Sequence, residues 1–453
     1  MTGRRRTSTR STFLPGSVRF TGSVRAAALT AGALTACASL AVGCGVVPGA
    51  TGGSGDDPIV VMTWAPEGTS ATNEPGMPAF ARAYARWINA AGGLNGRRLK
   101  VLTCNDHNDT VAAATCARQA VKEHAVAVVG SYSQHSDAFF PHLEGAGIPY
   151  IGGYGVTNAE FTSPLSYPVN GGQPALLAGL GKELAADCGP VSLVRPDTIA
   201  GDALPTMLDA GLTAGGHDEA DDQRAPEDAA EYAKQAETAL AHASDGGTGT
   251  NGGTGGKGAR KGKGCVVTAL GDRTSTFMDS FRRTRADHPE VRTATVLGSV
   301  DQTVIDAAGA ASGPFEGAYV TGWYPEARDP AWAPMKKVIS EAAFSDTRID
   351  PTDTGVQTTW IAYTVFRQAV ESLDGGDVTA DTVRGALDDG LRITTGGLTP
   401  TLRWQFSDRL ASIGFPRLVN ADVTLQKVRK GRLVAAEKGF VDVTKTLQKA
   451  DVD

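Results

Sequence analysis

The chain has 453 residues, of which 41% are hydrophobic and 20% charged, and this excludes both a mainly membrane-spanning protein and a fully disordered one. Its length predicts about three domains, or two large lobes with a tail. Six arginines and no acidic residue precede Asp56, so removing these six charges from the net charge of −6 leaves −12. A body this acidic argues against a nucleic-acid partner, which needs a basic face.

The first 57 residues predict an export signal and a tether. Basic residues precede an apolar, small-residue stretch at 26–42, an order typical of a secretory signal peptide, here 1–43. A transmembrane anchor is the weaker interpretation, because this stretch has 17 residues and is rich in Ala, Gly and Thr, whereas a membrane span prefers roughly 20 strongly apolar residues. Residues 44–57 are rich in Gly and predict a flexible tether.

The number of cysteines helps to decide where the signal peptide ends and which cysteine carries the lipid. Residues 34–37 are similar to the lipobox of bacterial lipoproteins, and 40–44 are a looser match. If Cys44 carries the lipid, Cys37 leaves with the signal and four cysteines can form two disulfides; if Cys37 carries it, Cys44 stays unpaired. We therefore predict lipidation at Cys44, with Cys37 as the alternative, and export to the outer face of the bacterial cell membrane. The other four cysteines are Cys104, Cys116, Cys188 and Cys265.

Strand and helix patterns alternate strictly over the first hundred residues of the body. The predicted strands are 59–62, 99–102, 125–129 and 148–151. The predicted helices are 78–91, 111–124 and 139–146. This alternation predicts a parallel sheet covered by helices on both faces, with ligands bound beyond the carboxyl ends of its strands.

The pattern then begins again and predicts a second doubly wound lobe. Its predicted strands are 191–194, 265–270 and 294–297, and its predicted helices are 176–186, 203–214, 229–242 and 277–285. After a stretch at 318–323, helices are predicted at 332–343, 355–373 and 379–388, and strands at 403–406, 423–428 and 433–436.

A Gly-rich segment at 244–264 interrupts the second lobe. It holds ten glycines in 21 residues and ends in several basic residues. A phosphate-binding loop is the alternative, but the GxxxxGK[ST] pattern is missing and the segment leads into a strand. We predict a flexible, solvated insertion.

Several motifs in this order resemble a known family. The helix and turn INAAGGLNGRRL at 88–99, the acidic turn NDHND at 105–109 and the segment GVTNAEFT at 155–162 resemble those of type I periplasmic solute-binding proteins. These are the branched-chain amino acid receptors of ABC importers. The helix at 355–373, with Trp360 and Tyr363, is similar to another of their motifs, and the resemblance extends from about 58 to 436.

The resemblance implies an α/β fold of two doubly wound, Rossmann-like lobes joined by three crossover segments. Lobe 1 would comprise 58–172 plus 321–415, and lobe 2 would comprise 173–320 plus 416–453. The implied function is a monomeric extracytoplasmic lipoprotein that captures an amino acid or related small polar ligand between closing lobes and delivers it to an ABC permease. No cofactor, metal or catalytic residue is implied. In this architecture Cys104 pairs with Cys116 and Cys188 with Cys265, with buried free thiols as the alternative.

The resemblance also implies ligand contacts at the strand ends. In lobe 1 they are Trp64, Tyr132, Ser133, Gln134, Tyr154 and Thr157. Thr157 has an alternative as a helix cap with Glu160. In lobe 2, Asp301 is nearest to the family's acidic partner for an ammonium group, and Thr274 stands near one of two aromatic positions. Because both aromatic rings are missing, amides and other small metabolites stay open as ligands.

Two other functions remain as alternatives. A ligand sensor that feeds a membrane kinase would have the same fold. A secreted hydrolase is the rival from another class, but the chain lacks the G-x-S-x-G, HExxH and CxxC motifs. His107, His135 and His142 are isolated polar residues near turns and are best explained as solvated side chains.

Overall fold

The computed structural model describes residues 57–70, 72–198, 200–244, 263–412 and 414–450. The predicted signal peptide, both candidate lipidation sites Cys37 and Cys44, and nearly all of the tether and the Gly-rich insertion lie outside the described residues. Within the described residues, helices and mainly parallel strands form an α/β fold around two sheets, as predicted. None of the helices in this part of the chain is long and apolar enough to span a membrane.

The first sheet has five parallel strands in the order β2-β1-β3-β4-β5. They are β1 (Ile59–Trp64), β2 (Leu99–Cys104), β3 (Ala127–Val129), β4 (Tyr150–Ile151) and β5 (Ser166–Tyr167). The helices of this half are α1 (Gly76–Ala90), α2 (Thr110–Lys122), α3 (Ser136–Ala146) and α4 (Ala159–Thr162). In the register, Val61 lies between Val101 and Ala127, so β1 is central and buried.

The second sheet has eight strands, seven in the order β12-β11-β10-β9-β8-β6-β7 and one, β13, paired with β11. They are β6 (Val191–Pro196), β7 (Asp221–Ala225), β8 (Cys265–Thr268), β9 (Arg292–Val296), β10 (Tyr319–Gly322), β11 (Asp422–Arg429), β12 (Arg432–Ala435) and β13 (Val441–Asp442). Strands β6 to β10 are parallel, whereas β11 runs antiparallel to β10 and β12. The helices of this half are α5 (Gly172–Asp187), α6 (Leu204–Ala214), α7 (Ala233–Ser244), α8 (Thr274–Thr284) and α9 (Gln302–Ala307).

The last helices return the chain to the first sheet. They are α10 (Ala333–Ala342), α11 (Thr354–Glu371) and α12 (Ala380–Asp388), and α13 (Thr444–Lys449) closes the described chain. Helix α11 packs directly on β3 and β4: a Cβ added at Gly152, whose φ is +64°, would lie 2.4 Å from the Cβ of Ala362. The chain passes between the two halves three times, after β5, after β10 and after α12.

Two differences from the predicted elements have clear causes. The predicted strand at 403–406 is absent: 403–405 are loop residues and a 3-10 helix begins at Phe406. Trp404 is buried in the core from this loop, and a buried apolar side chain in a loop resembles strand alternation. Apolar alternation does not predict strand β7, because its sequence DDQRA is polar. The sheet tolerates polar residues there because β7 is an edge strand.

Both predicted disulfides are present. Cys104 at the end of β2 bonds to Cys116 in α2, and Cys188 at the end of α5 bonds to Cys265 in β8. Their sequence separations are 12 and 77 residues. The first disulfide closes a local loop in the half of the first sheet. The second joins α5 to β8 within the half of the second sheet.

We expect the two disulfides to stabilise the fold unequally, because a longer closed loop restricts the unfolded chain more. Replacing both Cys188 and Cys265 with Ala should lower the free energy of unfolding by about 4.5 kcal/mol, against about 3 kcal/mol for Cys104 and Cys116. Urea unfolding of the two double variants measures both values. A larger loss from the Cys104 and Cys116 variant would contradict the loop-length argument.

Candidate ligand-binding cleft

The carboxyl ends of strands from both sheets border a cleft that contains two adjoining cavities. We call the first, of about 50 Å³, the aromatic cavity, because Tyr132 and Tyr154 line it. The second, of about 70 Å³, is the acidic cavity. The two cavities share four lining residues, Glu74, Tyr154, Gly298 and Ser299. The loops after β1, β3 and β4 line one side and those after β8 and β9 the other, where open α/β sheets bind ligands.

The aromatic cavity is built around a pair of tyrosines on the first half. The rings of Tyr132 and Tyr154 meet edge to face with centroids 5.1 Å apart, and Tyr154 packs likewise on Trp323. Gln134 Nε2 donates to the hydroxyl of Tyr132 at 3.2 Å. Burial raises the pKa of both phenols, so they stay neutral and can donate hydrogen bonds.

Gly298 lets the two halves approach each other at this tyrosine. It follows β9, and its φ of +93° lies in the region that favours glycine. A Cβ at this position would lie 2.4 Å from the hydroxyl oxygen of Tyr154. The close contact across the cleft therefore requires a residue without a side chain.

Replacing Gly298 with Ala should weaken ligand binding at least tenfold, because the added methyl group displaces Tyr154 and holds the cleft apart. Gly397→Ala is the matched control, since Gly397 has a φ of +91° and nothing within 4 Å of an added Cβ. Both variants should lose stability through backbone strain. Calorimetric titration and thermal melting separate the effects, and equal ligand affinity in the two variants would contradict the role of the contact.

Thr157 faces its own chain. Its hydroxyl donates to Glu160 Oε2 at 2.9 Å, and the backbone N–H groups of Gly155, Val156 and Thr157 also donate to the carboxylate of Glu160, at 2.9 to 3.0 Å. Glu160 is buried, and burial raises its pKa despite these bonds. The hydroxyl of Thr157, which the resemblance assigns to a ligand, therefore binds Glu160, the residue that the alternative of a helix cap names.

Four carboxylates line the acidic cavity. Glu74 lies just before α1 and Asp353 just before α11, whereas Asp272 follows β8 and Asp301 precedes α9. Asp353 and Asp301 cap their helices by accepting from the N–H groups of Val356 and Val304, each at 2.7 Å. Asp272 accepts from the backbone N–H of Asn73 across the cleft at 3.1 Å.

Burial and mutual repulsion disfavour ionisation in this cavity. Burial, followed by the charges of Asp353, Asp272 and Asp301, raises the pKa of Glu74 well above its usual range. Burial also raises the pKa of Asp353 to about 7, with Asp301, Asp350 and Asp272 adding to the effect. The pKa values of Asp272 and Asp301 are raised mainly by burial. Arg273 partly offsets this effect at Asp272, but among the described residues no Lys, Arg or His lines the cavity.

The structure divides the predicted contacts into two groups. Tyr132, Gln134 and Tyr154 line the aromatic cavity, and Asp301 lines the acidic one. The sequence reasoning missed the other acidic residues and Gln173, which lines the aromatic cavity at the start of α5. Asp residues directly before helices 354–371 and 302–307 were a usable signal for caps near the cleft.

Three predicted contacts belong to the packing of the protein instead. Trp64 is fully buried against Phe139 and Tyr150, so it offers a ligand no surface. Ser133 is buried, and its Oγ accepts from the N–H of His135. Thr274 is buried at the start of α8, where its Oγ1 accepts from the N–H of Leu270.

The chain is similar to known periplasmic binding proteins. The family model described as periplasmic binding protein matches residues 60–410. A substrate-binding periplasmic protein from Ralstonia solanacearum has a similar structure, with a TM-score of 0.66 and 16% identity over 84% of this chain and 100% of its own. A comparison with curated protein sequences gives no match.

Two further solved structures are similar at low identity. The solute-binding protein of an ABC transporter from Rhodopseudomonas palustris HaA2, in complex with p-hydroxybenzoic acid, has a TM-score of 0.67 and 13% identity over 85% of this chain and 97% of its own. A protein provisionally named a branched-chain amino acid ABC transporter from Rhodospirillum rubrum has a TM-score of 0.56 and 16% identity over 83% and 99%. Identities this low carry the fold and not the ligand.

Proposed function

The chain belongs to the periplasmic binding protein family, and from this membership we propose that it captures an amino acid or related small polar ligand between two closing lobes and delivers it to the permease of an ABC importer. Proteins of this family bind solutes outside the cytoplasm and are not enzymes. The observation that carries the proposal is the pair of cavities lined from both halves of the fold at the strand ends.

In this proposal lobe 1 comprises 58–172 plus 321–415 and lobe 2 comprises 173–320 plus 416–453. Contacts across the cleft support a clamp: Asn73 donates to Asp272, and Arg273 Nη2 donates to the carbonyl oxygen of Ser70 at 2.7 Å. These bonds would break as the lobes separate about the three crossing segments in a hinge motion. A reversible hinge suits a receptor that must release its ligand to a permease.

The proposed contact residues are those that line the cavities. Tyr132 and Tyr154 supply an aromatic wall and neutral hydroxyl groups, and Gln134 supplies an amide. Asp301 and Glu74 supply carboxylates. For attachment to the membrane we propose a lipid on Cys44, with Cys37 as the alternative, and a monomeric protein held outside the cell membrane by the tether.

The proposed function is tested with a metabolite extract instead of a chosen ligand. The purified protein is melted with and without the extract, and small-angle X-ray scattering follows its radius of gyration. A ligand at 100 times its dissociation constant should add about 2.7 kcal/mol to the free energy of unfolding. The radius should fall as the lobes close. An unchanged melting temperature and radius would contradict a binding function.

A further inference from the structure

The cleft gathers carboxyl groups from both halves of the fold. Glu74 and Asp353 approach the acidic cavity from lobe 1, and Asp272 and Asp301 approach it from lobe 2. Glu227 adds a fifth carboxylate in the aromatic cavity. Among the described residues, neither lining includes Lys, Arg or His. An anionic ligand would therefore meet repulsion and no counter-charge.

The nearest cation in the sequence does not neutralise this cluster. Arg273 follows Asp272, but its guanidinium donates to two backbone carbonyl oxygens, of Ser70 at 2.7 Å and of Glu227 at 3.0 Å. These bonds hold the side chain at the rim of the cleft, outside both linings. Neither bond reaches a carboxylate, so Arg273 offsets the charge of Asp272 only from outside the lining.

Among the described residues, the carboxylate of Glu74 lacks a hydrogen-bond donor at one of its oxygens. Its side chain is 6% exposed and borders both cavities, yet its Oε2 has no hydrogen-bond partner in the described part of the protein. This oxygen lies over the start of α11, where a Cβ added at Gly355 would be 2.4 Å away. A buried carboxylate oxygen without a donor is costly, and a donor brought by a ligand removes the cost.

The missing donor is organic rather than metallic. Over the described residues, no three His, Cys, Asp or Glu side chains are arranged to hold a metal ion. Asp301 and Asp353 each use one oxygen to accept from a helix N–H, which leaves that oxygen less available to a metal ion. A protonated amine has three N–H donors and can reach separated carboxylates without a fixed coordination geometry.

The loop at 155–157 already holds a carboxylate of the protein itself. Glu160 takes the three N–H groups at 155–157 and the hydroxyl of Thr157, so this loop has no such donor left for an anion. Within the described residues, the cavity linings without a cation, the unpaired oxygen of Glu74 and the filled loop agree in pointing to a ligand that donates hydrogen bonds. We propose that the ligand is a small organic cation whose protonated amine binds in the acidic cavity against Glu74, Asp272, Asp301 and Asp353.

The cation also explains why closure would depend on ligand. The two lobes each bring two carboxyl groups to the acidic cavity, so an empty closed cleft must either keep them protonated or bear repulsion across the interface. An amine between them converts this repulsion into attraction from both sides. The inference rests on the proposed function, since it assigns a ligand class to the same cleft.

Calorimetric titration of the protein with a panel of probes tests the ligand class. The panel holds two amines, putrescine and n-butylamine, the basic amino acid lysine, the neutral amino acid leucine, 4-hydroxybenzoate, and calcium chloride. We expect at least one of the three amine-bearing cations to bind at least tenfold more tightly than leucine, and no binding of 4-hydroxybenzoate. Glu74→Gln should weaken the binding of that cation about ten- to hundredfold, because one charge-assisted bond is lost.

Glu123→Gln is the control for this variant, since Glu123 lies at the C-terminal end of α2, away from the strand ends that border the cleft. It should leave the affinity unchanged. Asp272→Asn is a second neutralising variant and should weaken binding like Glu74→Gln. Equal affinity of Glu74→Gln and the wild type would remove the acidic cavity from the site.

The outcomes separate the ligand class from the function. Tighter binding of leucine, 4-hydroxybenzoate or calcium than of every amine overturns the organic cation and leaves a binding protein. If a metabolite extract closes the cleft while no amine of the panel binds, the organic cation is likewise overturned and the binding function is kept. If neither the panel nor the extract changes the melting temperature, both the ligand class and the proposed function fail.

Discussion

Replacing Glu160 with Ala is expected to lower the free energy of unfolding by about 3 to 5 kcal/mol, because each buried donor left without an acceptor costs about 1 to 3 kcal/mol. The carboxylate accepts from three consecutive N–H groups and from the hydroxyl of Thr157. Removing it leaves four donors in a loop that passes beside the cleft. Urea unfolding of the variant measures the loss.

Two comparisons make this prediction specific to the carboxylate. Thr157→Val removes one of the four donors and should cost only about 1 kcal/mol. Added acetate should restore part of the stability of Glu160→Ala by entering the vacated loop, and it should not stabilise the wild type. A loss in Glu160→Ala no greater than in Thr157→Val, or no response to acetate, would show that the loop does not depend on an internal anion.

Much of the fold could be predicted from the sequence because its signals are local. Alternating apolar strands and amphipathic helices, such as 59–62 followed by 78–91, specify a parallel sheet with crossover helices. Strand β7 could not be found this way, since an edge strand need not be apolar. Trp404 shows the converse error, because a buried ring in a loop looks like part of a strand.

The cleft was only partly predictable, for a different reason. Tyr132 and Tyr154 could be placed near it because they follow parallel strands whose carboxyl ends meet. Trp64 also ends such a strand, but its side chain points to the opposite face, into the core with Phe139. Whether a side chain faces the cleft or the core depends on one residue of register, which motif matching does not resolve.

The ligand-facing charge was the least predictable feature. Glu74, Asp272 and Asp353 are separated by about two hundred and about eighty residues in sequence, and only the packing of the two halves brings them together. In the sequence each is an ordinary polar residue before a helix or in a turn. The binding of Glu160 by the loop at 155–157 could not be predicted either. The segment 155–162 matches its motif whether the loop binds a ligand carboxylate or that of Glu160.

We expect Asp353 to make the ligand-free protein less stable as the pH rises from about 4 to about 7. Its folded pKa of about 7 lies above the ordinary value of 3.8, so the folded state binds a proton that the unfolded state releases in this window. The stabilisation is complete below about pH 4 and lost as the pH passes about 7. The shift corresponds to at most about 4 kcal/mol.

Asp353→Asn isolates this contribution, because the amide oxygen can still accept from Val356 N–H and cap α11 while the charge is gone. Urea unfolding across this window should show the wild type gaining stability relative to Asp353→Asn as the pH falls. Asp377→Asn, at an exposed position beyond the other end of this helix, which is roughly 27 Å long, should show no such trend.

The pH dependence also reports on the ligand. The groups facing Asp353 are Glu74, Asp272, Asp301 and Asp350, all acidic, so a bound amine cation should lower the pKa of Asp353 towards its ordinary value. With saturating amine, the difference between wild type and Asp353→Asn should shrink over the same pH range. A difference that instead grows as the pH rises would mean that Asp353 is stabilised as the ion without a ligand, and the acidic cavity would then have a counter-charge of its own.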